Sequence, residues 1–278
     1  MTMVHKAKLC ILVIAAICII AWGSLPGSEA QSDKKVALLF LTVNEPNHSD
    51  LWKKIITDHR ELCNVYVHSK YKMTHPFFAQ FRIKYTIPNS WSIHAKAWQL
   101  LLKEAIKDKS NYKFVFLSES CVPLYPLDFI HWYLTQNDNT YMSIARPWWN
   151  RQHHREVTEL PEEHRWGNHE WIVLNRKHAK MIVQDIHVIE VVSRHSHDQE
   201  SYPSSLFSVQ GCLYEIEGRM LTFVDWPLGN GCHPYTFKDA RGFNMSLLKE
   251  AKQNGYLFAR KIAKEFPESA LMQLIDED

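Results

Sequence analysis

The sequence contains no C-x-x-C pair, no H-E-x-x-H, no G-x-S-x-G, no G-x-G-x-x-G and no Walker-type phosphate loop. These absences withdraw support from a structural zinc site, a zincin-type hydrolase, a nucleophile-elbow hydrolase and a dinucleotide or P-loop enzyme. Carboxylates at D-x-D spacing, which offer hard oxygen ligands to a divalent cation, occur only in Asp276-Glu277-Asp278, which reads as a frayed tail. Net charge is nearly absent as well. At +2 the chain lacks the basic excess of a nucleic-acid binder. There are no internal repeats and no low-complexity tracts.

What is present begins with a targeting signal. His5, Lys6 and Lys8 precede an uncharged apolar run, Leu9 to Trp22, and Ser28-Glu29-Ala30 supplies small residues at cleavage spacing. The run is short beside the roughly 20 apolar residues of a membrane span. Residues 1–31 are therefore expected to be either a cleaved signal peptide or an uncleaved signal anchor, a single-pass membrane contact with its basic end in the cytoplasm. Residues 32–278 suit one large α/β domain, with a hydrophobic content of 46% to supply its core. Four cysteines lie in this part, and Cys212 with Cys232 is the favoured pair if any are bridged. Asn47-His48-Ser49 and Asn244-Met245-Ser246 match the glycosylation pattern, a frequent chance match.

Lys35 to Thr42 (KVALLFLT) reads as a buried parallel strand, Leu51 to Leu62 as a helix and Cys63 to His68 as a second strand. A third strand is expected at Ile83 to Ile87, then a helix from Ser92 with Ile93, Ala97, Leu101 and Ala105 on one face. Strands follow at Tyr112 to Leu117, Tyr141 to Ala145 and Trp171 to Leu174, with helices at Leu127 to Thr135, Arg176 to Gln184 and Asn244 to Gln253. The alternation predicts a mostly parallel sheet flanked by helices. Ligands of such sheets bind beyond the carboxyl ends of the strands. That rule selects His68, the Ser118-Glu119-Ser120-Cys121 loop and the aromatic, polar loop of residues 146–170.

The last quarter of the chain carries the most chemistry. Thr222-Phe223-Val224-Asp225-Trp226, Gly231-Cys232-His233-Pro234 and Leu257-Phe258-Ala259-Arg260-Lys261 combine an indole, a carboxylate and paired cations. Sugar transfer from a nucleotide donor uses this mixture: an aromatic platform, a proton acceptor and fixed charge for a diphosphate. A buried strand, a turn and a solvated helix end would carry the same residues. Histidines number 16, with pairs at His153-His154 and His195-Ser196-His197, but their setting on polar loops does not select a metal site, and none is expected.

Several segments, in order, are similar to core-2/I-branching β-1,6-N-acetylglucosaminyltransferase-like proteins, especially their plant-type branch. Phe114 to Leu124 (FVFLSESCVPL) resembles that family's "LLSESCIPL", and Trp171 to Ala179 (WIVLNRKHA) its "QWFVLNRKHA". Thr222 to Trp226, His233-Pro234 and Leu257 to Lys261 resemble its closing segments. The resemblance implies a GT-A-type, Rossmann-like single catalytic domain and an inverting transferase that uses a UDP-sugar without a metal. N-acetylglucosamine is the expected sugar, although related enzymes also transfer xylose or glucuronate, and a glycan is the expected acceptor. The family's general base lies in a "DEHYFPT"-like segment. Here Gln199-Glu200-Ser201-Tyr202-Pro203-Ser204 is one residue shorter and has Gln for Asp, so the role falls on Glu200, with Asp198 as the alternative in register. Lys261 aligns with the family's diphosphate-binding lysine, and a second cation is sought in Arg260, Lys238 or Arg241. Ser118, Glu119 and His68 are placed near the donor, and Asp225, Trp226, Trp148, Trp149, Arg165 and Trp166 near donor or acceptor sugar. Three other classes stay open, one of them a pseudoenzyme with the family fold, because the Gln199 departure sits beside the expected base. A glycoside hydrolase would pair Glu200 with Asp225, and a non-catalytic sugar binder would use the ten tryptophans.

Overall fold

The computed structural model describes residues 34–88, 94–145, 157–195, 197–230 and 233–277. The expected targeting segment 1–31, the helix start at Ser92, His153-His154, Trp148, Trp149 and Cys232 lie outside them. In chain order the elements are β1 (Lys35–Thr42), α1 (Ser49–Asp58), β2 (Cys63–Ser69), α2 (Pro76–Ala79), α3 (Ala95–Ala105), β3 (Asn111–Ser118) and β4 (Val122–Pro123). There follow α4 (Leu127–Thr135), β5 (Thr140–Tyr141), β6 (Ile144–Ala145), β7 (Gly167–Asn168), β8 (Val173–Asn175), α5 (Arg176–Gln184), α6 (Val188–Val192) and α7 (Tyr202–Val209). The rest are β9 (Ile216–Glu217), β10 (Thr222–Val224), α8 (Gly242–Gln253), β11 (Phe258–Arg260) and α9 (Glu268–Asp276).

The main sheet runs β2-β1-β3-β8-β5-β9. β2, β1 and β3 are parallel, β8 is inserted antiparallel to both β3 and β5, and β9 runs parallel to β5. Successive side chains of a strand point to opposite faces, and β1 feeds two cores in this way. Val36, Leu38 and Phe40 join one cluster with Trp52 of α1, Ile130 of α4 and Leu274 of α9. Ala37 and Leu39 join the other with Trp98 of α3, Ile182 of α5 and Phe207 of α7. The result is a sheet between two helical layers, a GT-A-like arrangement. A second sheet, β10-β11-β4, stands beside it, with β10 and β11 parallel and β4 antiparallel.

Four expectations need correction. Ile83 to Ile87 is no strand: a single bridge joins Val67 to Arg82, and the segment beyond it is held by the Ile87 N–H donating to His68 Nε2 at 3.1 Å. Tyr141 to Ala145 divides into β5 and β6, which pair in different sheets. Cys212 is a free, buried thiol beside Met181, so it is not bridged to Cys232. The tail is not frayed up to residue 277. Leu271, Leu274 and Ile275 of α9 are buried, and the Lys252 ammonium donates to the Leu274, Ile275 and Glu277 carbonyls. Both sequon amides are engaged internally, Asn47 Nδ2 on the Ile262 carbonyl and Asn244 Nδ2 on Asp239.

Candidate active site

A cavity of about 460 Å³ opens at the carboxyl ends of β1 and β3, within the range of small-molecule sites. Ser118, Glu119 and Ser120, Arg260 to Ala263, and Glu170 with Trp171 are among the residues that line it. The two sheets meet here. β11 pairs with β4 so that Ala259 faces Val122, which sets Arg260 beside the turn that follows β3. Backbone bonds lock the junction: Ile262 N–H donates to Ser120 O at 2.9 Å, Phe237 N–H to Lys261 O at 2.8 Å and Asn47 N–H to Glu119 O at 2.8 Å.

Arg260 is 9% exposed, and its guanidinium lies over the Trp171 ring at 3.7 Å from the centroid. It donates no hydrogen bond to any described residue, and its buried Nε has no partner. Lys261 is half-buried and also makes no side-chain hydrogen bond or ion pair among the described residues. Burial, and then the charge of Arg260, pushes the Lys261 pKa down. Glu119 and Glu170 influence both cations electrostatically, yet neither comes within ion-pair distance. Glu119 instead accepts the Val43 N–H at 3.2 Å. Two adjacent cations, desolvated and without a paired anion, are costly in isolation. A bound dianion would offset that cost.

Glu200 is half-buried on the 3-10 turn Asp198–Glu200 that leads into α7. Burial, with the nearby negative charge of Glu170 as the lesser cause, raises its pKa to about 7. Its carboxyl takes no hydrogen bond from a described residue. Glu200 is not itself in the cavity wall; Glu170 is, and Glu170 connects the two regions. Gln199 Nε2 donates to Glu170 Oε1 at 2.6 Å, fixing that side chain beside the Glu200 segment.

Asp198, the alternative in register, has a different task. Its Oδ1 accepts the His94 and Ala95 N–H groups at 2.7 and 3.1 Å, satisfying the start of α3. It is fully buried, and burial raises its pKa to about 6. The other expected residues separate. Ser118 lines the cavity and contacts Ser120 Oγ and Cys121 Sγ. His68 does not: it is fully buried below the strand ends, accepting from Ile87, and burial pushes its pKa down to about 4. Asp225 is buried and accepts the Leu228 N–H at 3.0 Å, closing a turn, so it does not supply a second carboxyl to the cavity. Trp226 is 38% exposed, with its ring 6.1 Å from His169, the neighbour of Glu170. Arg165 ties its own loop by donating to the Leu160 carbonyl at 2.7 Å, and Trp166 Nε1 donates to Glu163 O at 2.8 Å. Lys238 and Arg241 lie away from the cavity, Arg241 paired with Asp239 at 2.6 Å.

Glu170 is the last residue of the selected loop 146–170 but is not singled out within it, and Trp171 enters only as the first residue of a strand and of a family-like segment; the reason is topological. The strand-end rule was applied as though every strand ran the same way. β8 is antiparallel to β3, with Val173 opposite Val115 and the Phe116 N–H on the Ile172 carbonyl. The residues that precede β8, not those that follow it, therefore meet the carboxyl end of β3. Among the described residues no group of three His, Cys, Asp or Glu side chains is placed to hold a metal ion.

The model of the Core-2/I-Branching enzyme family matches residues 36–252. The chain belongs to that family. It is also 25% identical over 248 residues to a rice protein (Oryza sativa subsp. japonica) named Glycosyltransferase BC10, covering 73% of this chain and 62% of that one. The chain thus spans less than two thirds of the relative's length. The Core-2/I-Branching match ends at residue 252, ahead of β11, so Arg260 and Lys261 rest on the structure and on the motif rather than on the family model.

Proposed function

We propose that the protein is a glycosyltransferase that moves a sugar from a UDP-sugar to a hydroxyl of a glycan, by one in-line displacement with inversion and without a metal. The observation that carries this reading is the pair of partly desolvated cations, Arg260 and Lys261, that line a cavity with no anion paired to them among the described residues. A planar guanidinium held over the Trp171 ring can present its N–H groups to phosphate oxygens, and the neighbouring ammonium adds a mobile point charge. Charge that develops on the leaving diphosphate is met by groups already in position.

Glu200 acts as the general base. A carboxyl with a pKa near neutrality and no hydrogen bond from a described residue is suited to accept a proton from an acceptor hydroxyl. N-acetylglucosamine is the proposed sugar. Membership of the Core-2/I-Branching enzymes and the rice relative's name support glycosyl transfer. Residues 1–31 are proposed to direct the chain into export, and protease protection of the full-length protein in intact membranes tests that point. The chemistry is tested with Glu200→Gln, which should bind UDP as the parent does while losing transfer by roughly 10²–10⁴-fold. Transfer at the parental rate removes Glu200 from the mechanism. EDTA should leave the rate unchanged, and complete loss on chelation overturns the metal-free account.

A further inference from the structure

Resting on that reading, we infer that Glu170 selects the donor sugar: its carboxylate accepts a hydroxyl of a neutral sugar and turns away a sugar that itself carries a carboxylate. The placement follows from two pairs of neighbours. Glu170 is joined in sequence to Trp171, on which the Arg260 guanidinium rests at 3.7 Å. It is joined in space to Gln199, which is 1% exposed and precedes Glu200. An in-line displacement puts the anomeric carbon between the leaving diphosphate, at Arg260 and Lys261, and the attacking hydroxyl, at Glu200. The sugar ring then lies against Glu170.

The carboxylate is prepared for that contact. Oε1 is occupied by the Gln199 amide at 2.6 Å. Oε2 has no hydrogen-bond partner among the described residues and is not one of the buried unpartnered atoms, so it keeps exposed surface on a residue that lines the cavity. A hydroxyl that donates to an ionised oxygen makes one of the stronger hydrogen bonds. A carboxylated sugar brings a like charge to the same place in a partly desolvated setting, where repulsion is weakly screened. Glu119, which lines the same cavity, adds to the repulsion. Arg260 and Lys261 are committed to the diphosphate. Lys70, the remaining cation of the wall, is exposed and sits over the Tyr71 ring at 5.4 Å.

The experiment is a binding titration of the full chain with UDP, UDP-N-acetylglucosamine, UDP-xylose and UDP-glucuronate. The parent protein should bind the two neutral donors at least about tenfold more tightly than UDP-glucuronate, a difference of about 1.4 kcal/mol. Glu170→Gln should bring that ratio to within about threefold while UDP affinity holds. Equal or tighter binding of UDP-glucuronate by the parent overturns the inference and leaves the transferase reading standing. So does an undiminished ratio in a Glu170→Gln protein that still binds UDP. Failure of UDP itself to bind removes the nucleotide-sugar reading and the inference together.

Discussion

Glu200 holds a proton to about pH 7, where an ordinary glutamate releases it near 4.5. Between those values the folded chain binds more protons than the unfolded one, so this residue lowers stability as pH rises through the window. The cost of ionising it in place is on the order of 3 kcal/mol at most. Asp198, raised to about 6, acts in the same direction over a lower range. Glu200→Gln should therefore melt above the parent at pH 8 and near it at pH 5, while losing transfer. A variant that melts below the parent at pH 8 shows that the ionised carboxylate stabilises the fold. The same group sets the acid limb of kcat/KM, which should bend near pH 7 because only the ionised form accepts a proton. Glu170→Gln removes the lesser of the two causes, so the limb should move to lower pH without vanishing. A limb that stays in place uncouples the two carboxyls.

Among the elements, those with a single strong period were the legible ones. β1, α4 and α5 appear with the bounds read from the residues, because each buries one face or both without interruption. The segment Ile83 to Ile87 has strand-like composition but is exposed at Lys84 and Tyr85 and, among the described residues, pairs with no strand beyond the bridge at Arg82. α9 was missed because three acidic letters at the end hid the apolar spacing of Leu271, Leu274 and Ile275. The site was half legible for a related reason. Arg260, Lys261, Glu119 and Ser118 belong to motifs that are local in sequence, whereas Glu170, one residue of a long selected loop, is set apart from the rest of that loop by the reversed direction of β8. Local capping gives a test at this scale. Asn175 ends β8 and caps α5, its Oδ1 accepting the His178 N–H at 2.8 Å while its Nδ2 donates to Asp138 O at 2.7 Å. Asn175→Ala should cost about 1–2 kcal/mol, read as a fall in the thermal midpoint of several degrees. No change in the midpoint returns the cap to solvent.

For the whole molecule the question is how a site near the carboxyl end of the chain comes to depend on strands near its beginning. The answer lies in long-range ties around the cavity floor. Asn47 Nδ2 donates to the Ile262 carbonyl at 3.0 Å, His48 Nε2 is 2.9 Å from the Ala263 carbonyl, and His48 Nδ1 lies 3.5 Å from Glu268 at the start of α9. α9 then covers the core with Leu271, Leu274 and Ile275 and fastens Lys252 of α8 through three carbonyls. Burying three such side chains contributes roughly 5–8 kcal/mol, which is comparable to the net stability of an ordinary domain. Removing residues 268–278 should consequently abolish cooperative unfolding at 25 °C and with it UDP binding, although every proposed site residue is retained. Saturating UDP would restore only about 3 kcal/mol at a hundred times its dissociation constant, too little to offset the loss. A truncated chain that still melts cooperatively and binds UDP with parental affinity would show that the cavity is organised by β1, β3 and β11 alone, with α9 as a dispensable cover.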